Sequence, residues 1–253
     1  MKLQNVAAIV TGGASGLGAA TASMLAAEGA KVCLFDLNDQ LGSAHAASID
    51  GHYIKVDVAD DAGVAATLSA AESAHGVPRV LVNCAGIVLA MKTVGREAVP
   101  HPLDQFRRVI EINLIGAFNV ASKFSARLSR ADLLGDERGV IINTASVAAY
   151  EGQVGQAAYA ASKGGIVSLT LTMARDLAQF GIRSVTIAPG IFWTPMMASL
   201  PQAAQDSLGK QVPFPSRLGR PEEYAMLVHS IIANPMINGE TIRLDGAIRM
   251  APR

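Results

Sequence analysis

Short runs of β-branched and aliphatic residues alternate with alanine-rich stretches along almost the whole chain, and this alternation constrains the fold more than any other feature. We interpret the following runs as strands: Val6 to Val10, Lys31 to Phe35, Tyr53 to Val56, Val80 to Val82, Val140 to Ile142, Ser184 to Ile187 and Glu240 to Leu244. Stretches with helical spacing separate them, for example Leu17 to Glu28, Gly63 to His75 and Tyr159 to Phe180. Such alternation builds β-α-β units, so the sequence predicts an α/β fold in which a doubly wound parallel sheet carries helices on both faces.

Size and segmentation favour one domain. At 253 residues, half of them hydrophobic, the chain has the length of a single α/β domain with one large core. No internal repeat, low-complexity tract or linker divides the sequence. The segments 88–102 and 190–219 fit neither a strand nor a helix well. Ligands of open α/β sheets bind beyond the carboxyl ends of the strands, so we predict one domain over residues 1–253 with a substrate loop at about 190–219.

Charge and cysteine content argue against several kinds of partner. Lys and Arg balance Asp and Glu at 21 each, so no overall field attracts nucleic acid or an anionic membrane. The scattered His residues lack metal-ligand spacing, and no apolar stretch is long enough to span a bilayer. Cys33 and Cys84 lie in apolar runs as buried thiols, and Met1 to Asn5 leads into a strand without a targeting pattern. We therefore expect a cytoplasmic protein with no metal, membrane or nucleic-acid partner.

A glycine-rich turn joins the first predicted strand to the first helix. The segment reads Thr11-Gly12-Gly13-Ala14-Ser15-Gly16-Leu17-Gly18. Gly12 allows a tight turn, Gly16 lets backbone amides approach a pyrophosphate, and Gly18 lets the helix pack closely on the strand, while the helix N-terminus supplies a favourable dipole. A glycine cluster alone is equally typical of a flexible turn. Here strand, turn and helix stand in the order of a dinucleotide-binding Rossmann fold.

Polar residues at the ends of the next strands predict the rest of the cofactor site. Asp36 ends the second strand, where a carboxylate accepts hydrogen bonds from the adenosine ribose and repels a 2′-phosphate, so this residue predicts NAD rather than NADP. The alternative is a solvated aspartate at a strand end. Asp57-Val58 and Asn83-Cys84 follow the third and fourth strands, where adenine and ribose would lie. In isolation these two dipeptides would be ordinary turns.

A phenol and an ammonium group lie one helical turn apart in the segment Tyr159-Ala160-Ala161-Ser162-Lys163. This spacing alone is typical of a surface pair, but Ser146 stands thirteen residues earlier, directly after a strand. A free tyrosine has a pKa of about 10, so deprotonating an alcohol near neutral pH requires a nearby cation. Lys163 supplies one. We predict Tyr159 as general base in oxidation and general acid in reduction, with Ser146 holding the substrate oxygen.

Motifs of one enzyme family follow each other in the family's order: TGGASGLG, Asp36, NCAG, Asn113, Ser146, YAASK and the Pro189-Gly190 pair. The chain resembles the short-chain dehydrogenase/reductase family over essentially its whole length. The longer strings INTASVAAYEGQVGQAAYAASKGGIVSLT, QVPFPSRLG and NGETIRLDGAIRM are similar to its type II 3-hydroxyacyl-CoA dehydrogenases, a group also described as multifunctional hydroxysteroid dehydrogenases.

The resemblance implies roles for further residues. Asn113 would hold a water that links Lys163 to solvent, unless its amide simply bonds to backbone in a helical kink. The cofactor would also be contacted by these residues: Ser15, Leu17, Asp57, Val58, Cys84, Tyr159, Lys163, Phe192 and Thr194. A homotetramer is implied as well, with contacts from a long helix pair and the C-terminal strand and tail. The terminal segment Asp245 to Arg253 would either tuck against a neighbouring subunit or form a frayed tail.

An insertion at Val88 to Pro102 also resembles the 3-hydroxyacyl-CoA group, in which such a loop widens the site for a CoA thioester. Lys92 and Arg96 would meet the phosphates of that thioester, or would be ordinary charges on a solvated loop. Gln153 and Gln156 would line the substrate mouth or satisfy local backbone, and we assign Gln156 to substrate binding. Trp193 departs from the small residue expected in the substrate loop, which leaves the preferred acyl or steroid shape open.

The leading hypothesis is oxidation of a 3-hydroxyacyl-CoA to the 3-ketoacyl-CoA with hydride transfer to NAD. A hydroxysteroid or other secondary-alcohol dehydrogenase would use the same catalytic groups. Adaptable apolar side chains in the substrate loop suit either substrate: Met196, Met197, Leu200, Val212 and Phe214. A non-catalytic scaffold or RNA-processing subunit is a third hypothesis, because relatives are associated with such a role, but zero net charge and a complete catalytic set argue against it.

Overall fold

The computed structural model describes residues 1–194, 197 and 202–252. Its strands are β1 (Ala7–Thr11), β2 (Lys31–Asp36), β3 (His52–Lys55), β4 (Val80–Asn83), β5 (Gly139–Thr144), β6 (Ile182–Pro189) and β7 (Thr241–Leu244). Its α-helices are α1 (Gly16–Ala27), α2 (Asp39–Ser48), α3 (Asp61–His75), α4 (Leu103–Ile110), α5 (Ala117–Leu128), α6 (Ala157–Ala178), α7 (Gln202–Lys210) and α8 (Pro221–Ala233). A π-helical turn at Glu111–Gly116 joins α4 to α5, and short 3-10 turns lie at Arg96–Ala98 and Val147–Ala149.

The strands form one sheet in the order β3-β2-β1-β4-β5-β6-β7, and every neighbouring pair is parallel. The order reverses direction between β1 and β4, because the chain builds outward from β1 first to one edge and then to the other. This is the doubly wound topology, and the predicted α/β fold is confirmed. A ligand site is expected at the reversal, beyond the carboxyl ends of β1 and β4.

Both faces of the sheet are covered. Alternate residues of β1 show this: Ala8 and Val10 pack with α1 and α8, whereas Ile9 packs with α3 and α5 on the other face. The middle of the central strands therefore consists of consecutive buried aliphatic residues, as in Val80 to Val82 of β4 and Val140 to Ile142 of β5. Burial on two faces explains why these runs are apolar at consecutive positions instead of alternating with polar residues.

Predicted and observed elements differ mainly in the two segments that fit no pattern. The predicted strands and the three exemplified helices all exist, with ends displaced by one or two residues. The insertion 88–102 forms an exposed loop closed by an antiparallel bridge between Val94 and Pro100. Within 190–219 the chain forms helix α7, which the sequence analysis missed. Met196 and Leu200 of the predicted substrate loop lie outside the described residues.

Candidate active site

The glycine turn has the geometry that its sequence predicts. Gly12 has φ +65° and Gly16 has φ +56°, both in the left-handed region that side chains disfavour. A Cβ atom on Gly12 would lie 2.8 Å from the backbone nitrogen of Ala85, and one on Gly18 would lie 2.8 Å from the carbonyl carbon of Gly12. Ser15 precedes α1 and makes no side-chain capping bond to the helix. The turn therefore presents the helix N-terminus to the space above β1.

That space is an open cleft with about 1150 Å³ of empty volume, between the glycine turn and the ends of β2, β3 and β4. Asp36 lines it, and each of its carboxylate oxygens accepts one backbone amide, from Ala14 at 3.0 Å and from Asn38 at 3.0 Å. These bonds fix the carboxylate at the cleft wall. Further expected cofactor contacts also line the cleft: Ser15, Leu17, Asp57, Val58, Cys84 and Thr194.

Two expected cofactor contacts lie elsewhere. Asn83 is buried behind the cleft, where its amide donates to the Ala117 carbonyl at 3.2 Å and to Asn143 Oδ1 at 2.9 Å. The amide ties β4 to its neighbours and does not line the cleft. Phe192 is also buried, in a separate cavity with Val212, against Gly219. Strand-end and loop positions looked alike in the sequence, but the chain turns these two side chains inward.

The predicted catalytic residues meet beside the cleft. Ser146 follows β5, and its hydroxyl accepts the Ala148 amide at 3.1 Å, which leaves the hydroxyl proton for another partner. Tyr159 lies in the first turn of α6. Burial raises the pKa of the Tyr159 phenol, and its interaction with the Ser146 hydroxyl lowers that pKa in part. In the protein alone the phenol is therefore protonated at neutral pH.

Lys163 is buried next to Tyr159. Its Nζ lies 5.8 Å from the centre of the Tyr159 ring and donates to the Thr144 carbonyl at 2.7 Å. Burial lowers the pKa of Lys163 to about 8, so the ammonium form is present at neutral pH but is weakly held. A Cβ atom on Gly86, a residue of the cleft wall, would lie 3.6 Å from this Nζ. The lysine is thus close to both the phenol and the cofactor cleft.

Asn113 lies in the π-helical turn and is almost wholly buried. Its Oδ1 accepts the Ile87 amide at 2.8 Å, while its Nδ2 donates to the Ile87 carbonyl at 2.9 Å and to the Ser162 hydroxyl at 3.1 Å. The side chain therefore binds the backbone after the cleft wall and braces α6 beside Tyr159. This geometry agrees with the alternative that Asn113 bonds to backbone in a kink.

A second groove opens between the insertion and the start of α6. Lys92, Gln153, Gln156 and Pro252 line it. The two glutamines bind each other and local backbone: Gln156 Oε1 accepts the Gln153 amide at 3.1 Å, and Gln153 Nε2 donates to the Ala251 carbonyl at 3.0 Å. Arg96 is exposed and does not line the groove.

Trp193 lies in the segment that follows β6, away from the groove between the insertion and α6. Its amide donates to the Gly219 carbonyl at 2.8 Å, and its half-exposed indole lines a surface groove along α7. Thr194, the next residue, lines the cofactor cleft instead. The indole that departs from the expected small residue therefore lies outside the cofactor cleft.

The C-terminal segment packs on its own chain. Glu151, between Ser146 and Tyr159, accepts Arg243 through both carboxylate oxygens, at 2.9 and 3.2 Å, and also accepts the Met250 amide at 3.1 Å. Ile248 is buried, and the Val154 amide donates to the Pro252 carbonyl. The expectation of a frayed tail is wrong for residues 245–252, because these bonds hold the tail against the loop that leads into α6.

Sequence reasoning missed residues that support Lys163. Thr144 contributes a backbone carbonyl, for which no residue type is required, so the sequence carries no signal for it. Tyr224 of α8 hydrogen-bonds to Thr144 from the opposite face of the sheet, 80 residues along the chain. Among the described residues, no group of three or more His, Cys, Asp or Glu side chains is arranged to hold a metal ion. In the same part of the chain, no helix combines the length and the hydropathy needed to cross a bilayer.

Comparisons with known proteins agree with this geometry. A family model described as short chain dehydrogenase matches residues 6–205. The chain is 52% identical over 254 residues to the 3-hydroxyacyl-CoA dehydrogenase type-2 of Homo sapiens, covering 99% of this chain and 97% of that protein. It is 39% identical over 222 residues, 87% of this chain and 85% of the relative, to a 2-dehydro-3-deoxy-L-rhamnonate dehydrogenase (NAD(+)) of Sphingomonas. The crystal structure of a 3-hydroxyacyl-CoA dehydrogenase type-2 from Mycobacterium avium superposes with a TM-score of 0.94 at 40% identity, covering 98% of each chain.

Proposed function

Because this chain belongs to the short chain dehydrogenase family and is an oxidoreductase, we propose that it interconverts a 3-hydroxyacyl-CoA and a 3-ketoacyl-CoA with NAD. The observation that carries the proposal is the meeting of Ser146, Tyr159 and Lys163 beside a glycine-cradled cleft that also contains Asp36. The acyl-CoA substrate is proposed from the 52% identity to a protein named for that activity.

The residues of the cleft fit a nicotinamide dinucleotide. Gly12 and Gly18 let the turn pack against the end of β4 and the first turn of α1, and the α1 N-terminus and Ser15 provide donors for a pyrophosphate. Asp36 would accept the adenosine ribose hydroxyls. When bound, the cofactor supplies the hydride acceptor for oxidation and the hydride donor for reduction.

Proton transfer is the task of the protein's own groups. The Ser146 hydroxyl would donate to the substrate oxygen as negative charge develops there. In oxidation the ionised Tyr159 oxygen would take the proton of the substrate hydroxyl, and a hydride would leave the carbon that bears this hydroxyl. Burial alone raises the pKa of Tyr159, so this step depends on positive charge from Lys163 and from the oxidised cofactor. In reduction the protonated phenol is already the correct acid.

A substrate panel tests the activity. We expect NADH-dependent reduction of acetoacetyl-CoA and NAD-dependent oxidation of a 3-hydroxyacyl-CoA, each followed by the absorbance of NADH. Tyr159→Phe should lower kcat by roughly 100- to 10,000-fold, the usual contribution of a positioned acid or base. Tyr150→Phe is the matched control, because Tyr150 is an exposed phenol four residues after Ser146. Turnover of a steroid but not of acyl-CoA would favour the hydroxysteroid alternative, and turnover of neither would overturn the proposal.

The choice of NAD is tested at Asp36. Losing a charge-assisted hydrogen bond costs about 1.5–3 kcal/mol, so Asp36→Asn should weaken NAD binding roughly 10- to 100-fold and improve the relative use of NADP. Asp39→Asn is the control, since Asp39 pairs with Lys55 and does not line the cleft. Equal use of NAD and NADP by the wild-type protein would contradict this choice.

For the acyl-CoA, we propose the groove between the insertion and α6 as the seat of the CoA moiety. Lys92 supports this, because it is an exposed cation on the wall of that groove. Lys92→Gln should raise the KM for acetoacetyl-CoA without changing the KM for NADH. Lys2→Gln, at the N-terminus, is the control.

We also propose a homotetramer that works in the cytoplasm, with no nucleic-acid or membrane partner. Exposed apolar side chains support association: Phe118 on α5 and Phe180 just after α6 line a surface groove between these helices, and Leu171 on α6 is exposed as well. The free thiols Cys33 and Cys84 are in keeping with a reducing compartment. Native mass measurement should give four copies for wild type and fewer for Phe118→Glu, with Leu41→Glu on α2 as an exposed control. A monomeric wild type would contradict the assembly, and cell fractionation tests the compartment.

A further inference from the structure

A line of hydrogen-bonding groups runs behind the catalytic lysine, from the cofactor cleft to the end of β5. Cys84 Sγ lies 3.8 Å from the Tyr224 hydroxyl, that hydroxyl lies 2.7 Å from Thr144 Oγ1, and Thr144 Oγ1 lies 2.6 Å from the Asn83 carbonyl oxygen. Tyr224 has no exposed surface and is one of the largest fully buried side chains. A buried phenol at this place has no part in the proton transfer described above, so its position requires another explanation.

The donors and acceptors of this line have a single direction. Thr144 Oγ1 has two acceptors for its one proton, the Asn83 carbonyl oxygen at 2.6 Å and Cys84 Sγ at 3.5 Å. We assign the proton to the much shorter contact with the carbonyl, which can only accept. Thr144 Oγ1 then accepts the proton of Tyr224, and the Tyr224 oxygen accepts the thiol proton of Cys84. Burial raises the pKa values of both Cys84 and Tyr224, so both groups keep the protons that they donate. The line is neutral along its whole length.

The line ends at the residue that holds the catalytic ammonium. Thr144 is the last residue of β5, and its own carbonyl accepts Lys163 Nζ at 2.7 Å. Its side chain is held from two sides, by β4 through the Asn83 carbonyl and by α8 through Tyr224. Fixing a side chain from two directions restricts rotation of the peptide groups beside it, and so fixes the direction of the carbonyl.

We propose that Tyr224 is a positioning residue: its hydroxyl holds Thr144 so that the Thr144 carbonyl stays on the Lys163 ammonium beside Tyr159. This inference rests on the proposed function, because positioning matters only if Lys163 serves the dehydrogenase centre. The hydroxyl acts through Thr144 and does not touch the reacting atoms. Its effect is to stabilise the charged form of Lys163, and through that charge to make Tyr159 easier to ionise.

Few charged groups compete with this effect. The ionisable side chains that face the line are Cys84 from the end of β4 and Lys163 and Tyr159 from α6. Helix α1, which packs along α8, has no ionisable side chain between Gly16 and Ala27. Glu223, beside Tyr224 in α8, is paired with Arg217 at 2.6 Å. Across the cleft, Asp36 is held by backbone amides.

The test removes the hydroxyl and measures Lys163 directly. In protein labelled with 13C at the lysine ε-carbon, the Lys163 signal, identified by its loss in Lys163→Arg, should titrate near pH 8 in the wild type. In Tyr224→Phe the same signal should titrate at lower pH, because the ammonium has lost a fixed acceptor. Tyr150→Phe is the matched control and should leave the titration unchanged. This readout needs no substrate, so it decides the inference even if the acyl-CoA activity is absent.

Kinetics supply the second readout. In alcohol oxidation kcat/KM should rise with pH as Tyr159 ionises, and in Tyr224→Phe this rise should occur at higher pH. A displacement of about half to one pH unit would lower kcat/KM in this pH range roughly 3- to 10-fold. The KM for NAD should stay unchanged, because Cys84 and the cleft wall remain. A purely structural role would lower thermal stability without moving the pH at which kcat/KM rises.

A second variant tests the inference if Tyr224→Phe does not fold. Thr144→Val removes the same hydroxyl bond from the other side and should cause the same change in the Lys163 titration, and the double variant should add little to either single change. If Tyr224→Phe does not fold, Thr144→Val alone decides. An unchanged Lys163 titration in the folded variants would overturn the inference.

Discussion

The close contact between Gly18 and Gly12 makes a sharp prediction about the cofactor cradle. In Gly18→Ala the new methyl carbon would lie 2.8 Å from the Gly12 carbonyl carbon and closer still to the oxygen, whereas ordinary contact begins near 3.4 Å. Both partners are backbone atoms, so no side-chain rotation relieves the clash. The glycine turn and the first turn of α1 must separate by roughly 1 Å. A close-packed interior has few voids, so a displacement of this size costs folding free energy.

Two consequences of different size follow from that separation. Overpacking of this kind costs about 1–3 kcal/mol of folding stability, which a domain of this size tolerates. The reaction rate should be affected more than the stability, because a misplacement of about 1 Å in a positioned site can lower the rate roughly 100-fold. We therefore expect kcat/KM for NAD to fall roughly 100-fold in Gly18→Ala while the protein remains folded.

The assay is steady-state kinetics with NAD as the varied substrate, beside thermal unfolding with and without NAD. Gly164→Ala is the control: Gly164 lies inside α6, nothing lies within 4 Å of its added Cβ, and alanine should favour the helix by up to about 1 kcal/mol. Wild-type kinetics and wild-type stabilisation by NAD in Gly18→Ala would refute the role given to this contact. Equal losses in Gly164→Ala would refute the reasoning from backbone space.

Two more predictions concern the surroundings of the site. In Glu151→Gln the charge that binds Arg243 is lost. We expect the free energy of unfolding at neutral pH to fall by about 1–3 kcal/mol and the KM for the acyl-CoA to rise. Glu28→Gln is the exposed control. Arg243 lowers the pKa of Glu151 in the folded protein, so the difference from wild type should shrink as the pH falls below the ordinary glutamate range; a difference that persists in acid would contradict this assignment. Burial raises the pKa values of both Cys33 and Cys84, but Cys33 is buried whereas Cys84 is partly exposed and lines the cleft. Iodoacetamide at pH 8 should therefore spare Cys33 and should slowly label Cys84, with protection by NAD. Peptide mass spectrometry that finds equal labelling of both thiols would rule this out.

The sequence was a good guide wherever a residue's role depends on local backbone geometry. Gly12 and Gly16 adopt positive φ angles in the turn, and Asp36 reaches the cleft because it ends a parallel strand. The alternation of apolar runs predicted every strand of the sheet, since a buried strand shows its length and its boundaries in composition. The family prediction is confirmed by the match over residues 6–205. In each of these cases the signal and the structural cause lie within a few residues of each other.

The sequence does not predict which way a side chain turns at a strand end or in a loop. Asn83 and Cys84 are neighbours at the end of β4, yet one is buried among strand amides and the other faces the cleft. Phe192 lies in a separate cavity and Thr194 lines the cleft, but these residues are two positions apart in a loop, so strand alternation does not explain their difference. Successive residues of extended backbone point to opposite sides, so an error of one position exchanges a ligand contact for a core contact. The sequence shows that side chains alternate between the two sides of a strand, but it does not show which side faces the ligand.

The most distant contributions to the site come from the two faces of the sheet. Helix α6 brings Tyr159 and Lys163 from one face, and α8 brings Tyr224 from the other, and both reach the end of β5 at Thr144. A parallel sheet gathers the carboxyl ends of its central strands at one edge, so helices from both layers can act on one residue there. On the inference above, the charge on Lys163 is then influenced from α8, a helix on the opposite face of the sheet from α6. For this reason the pH at which the catalytic pair ionises should respond to changes in α8 as well as to changes in the cleft.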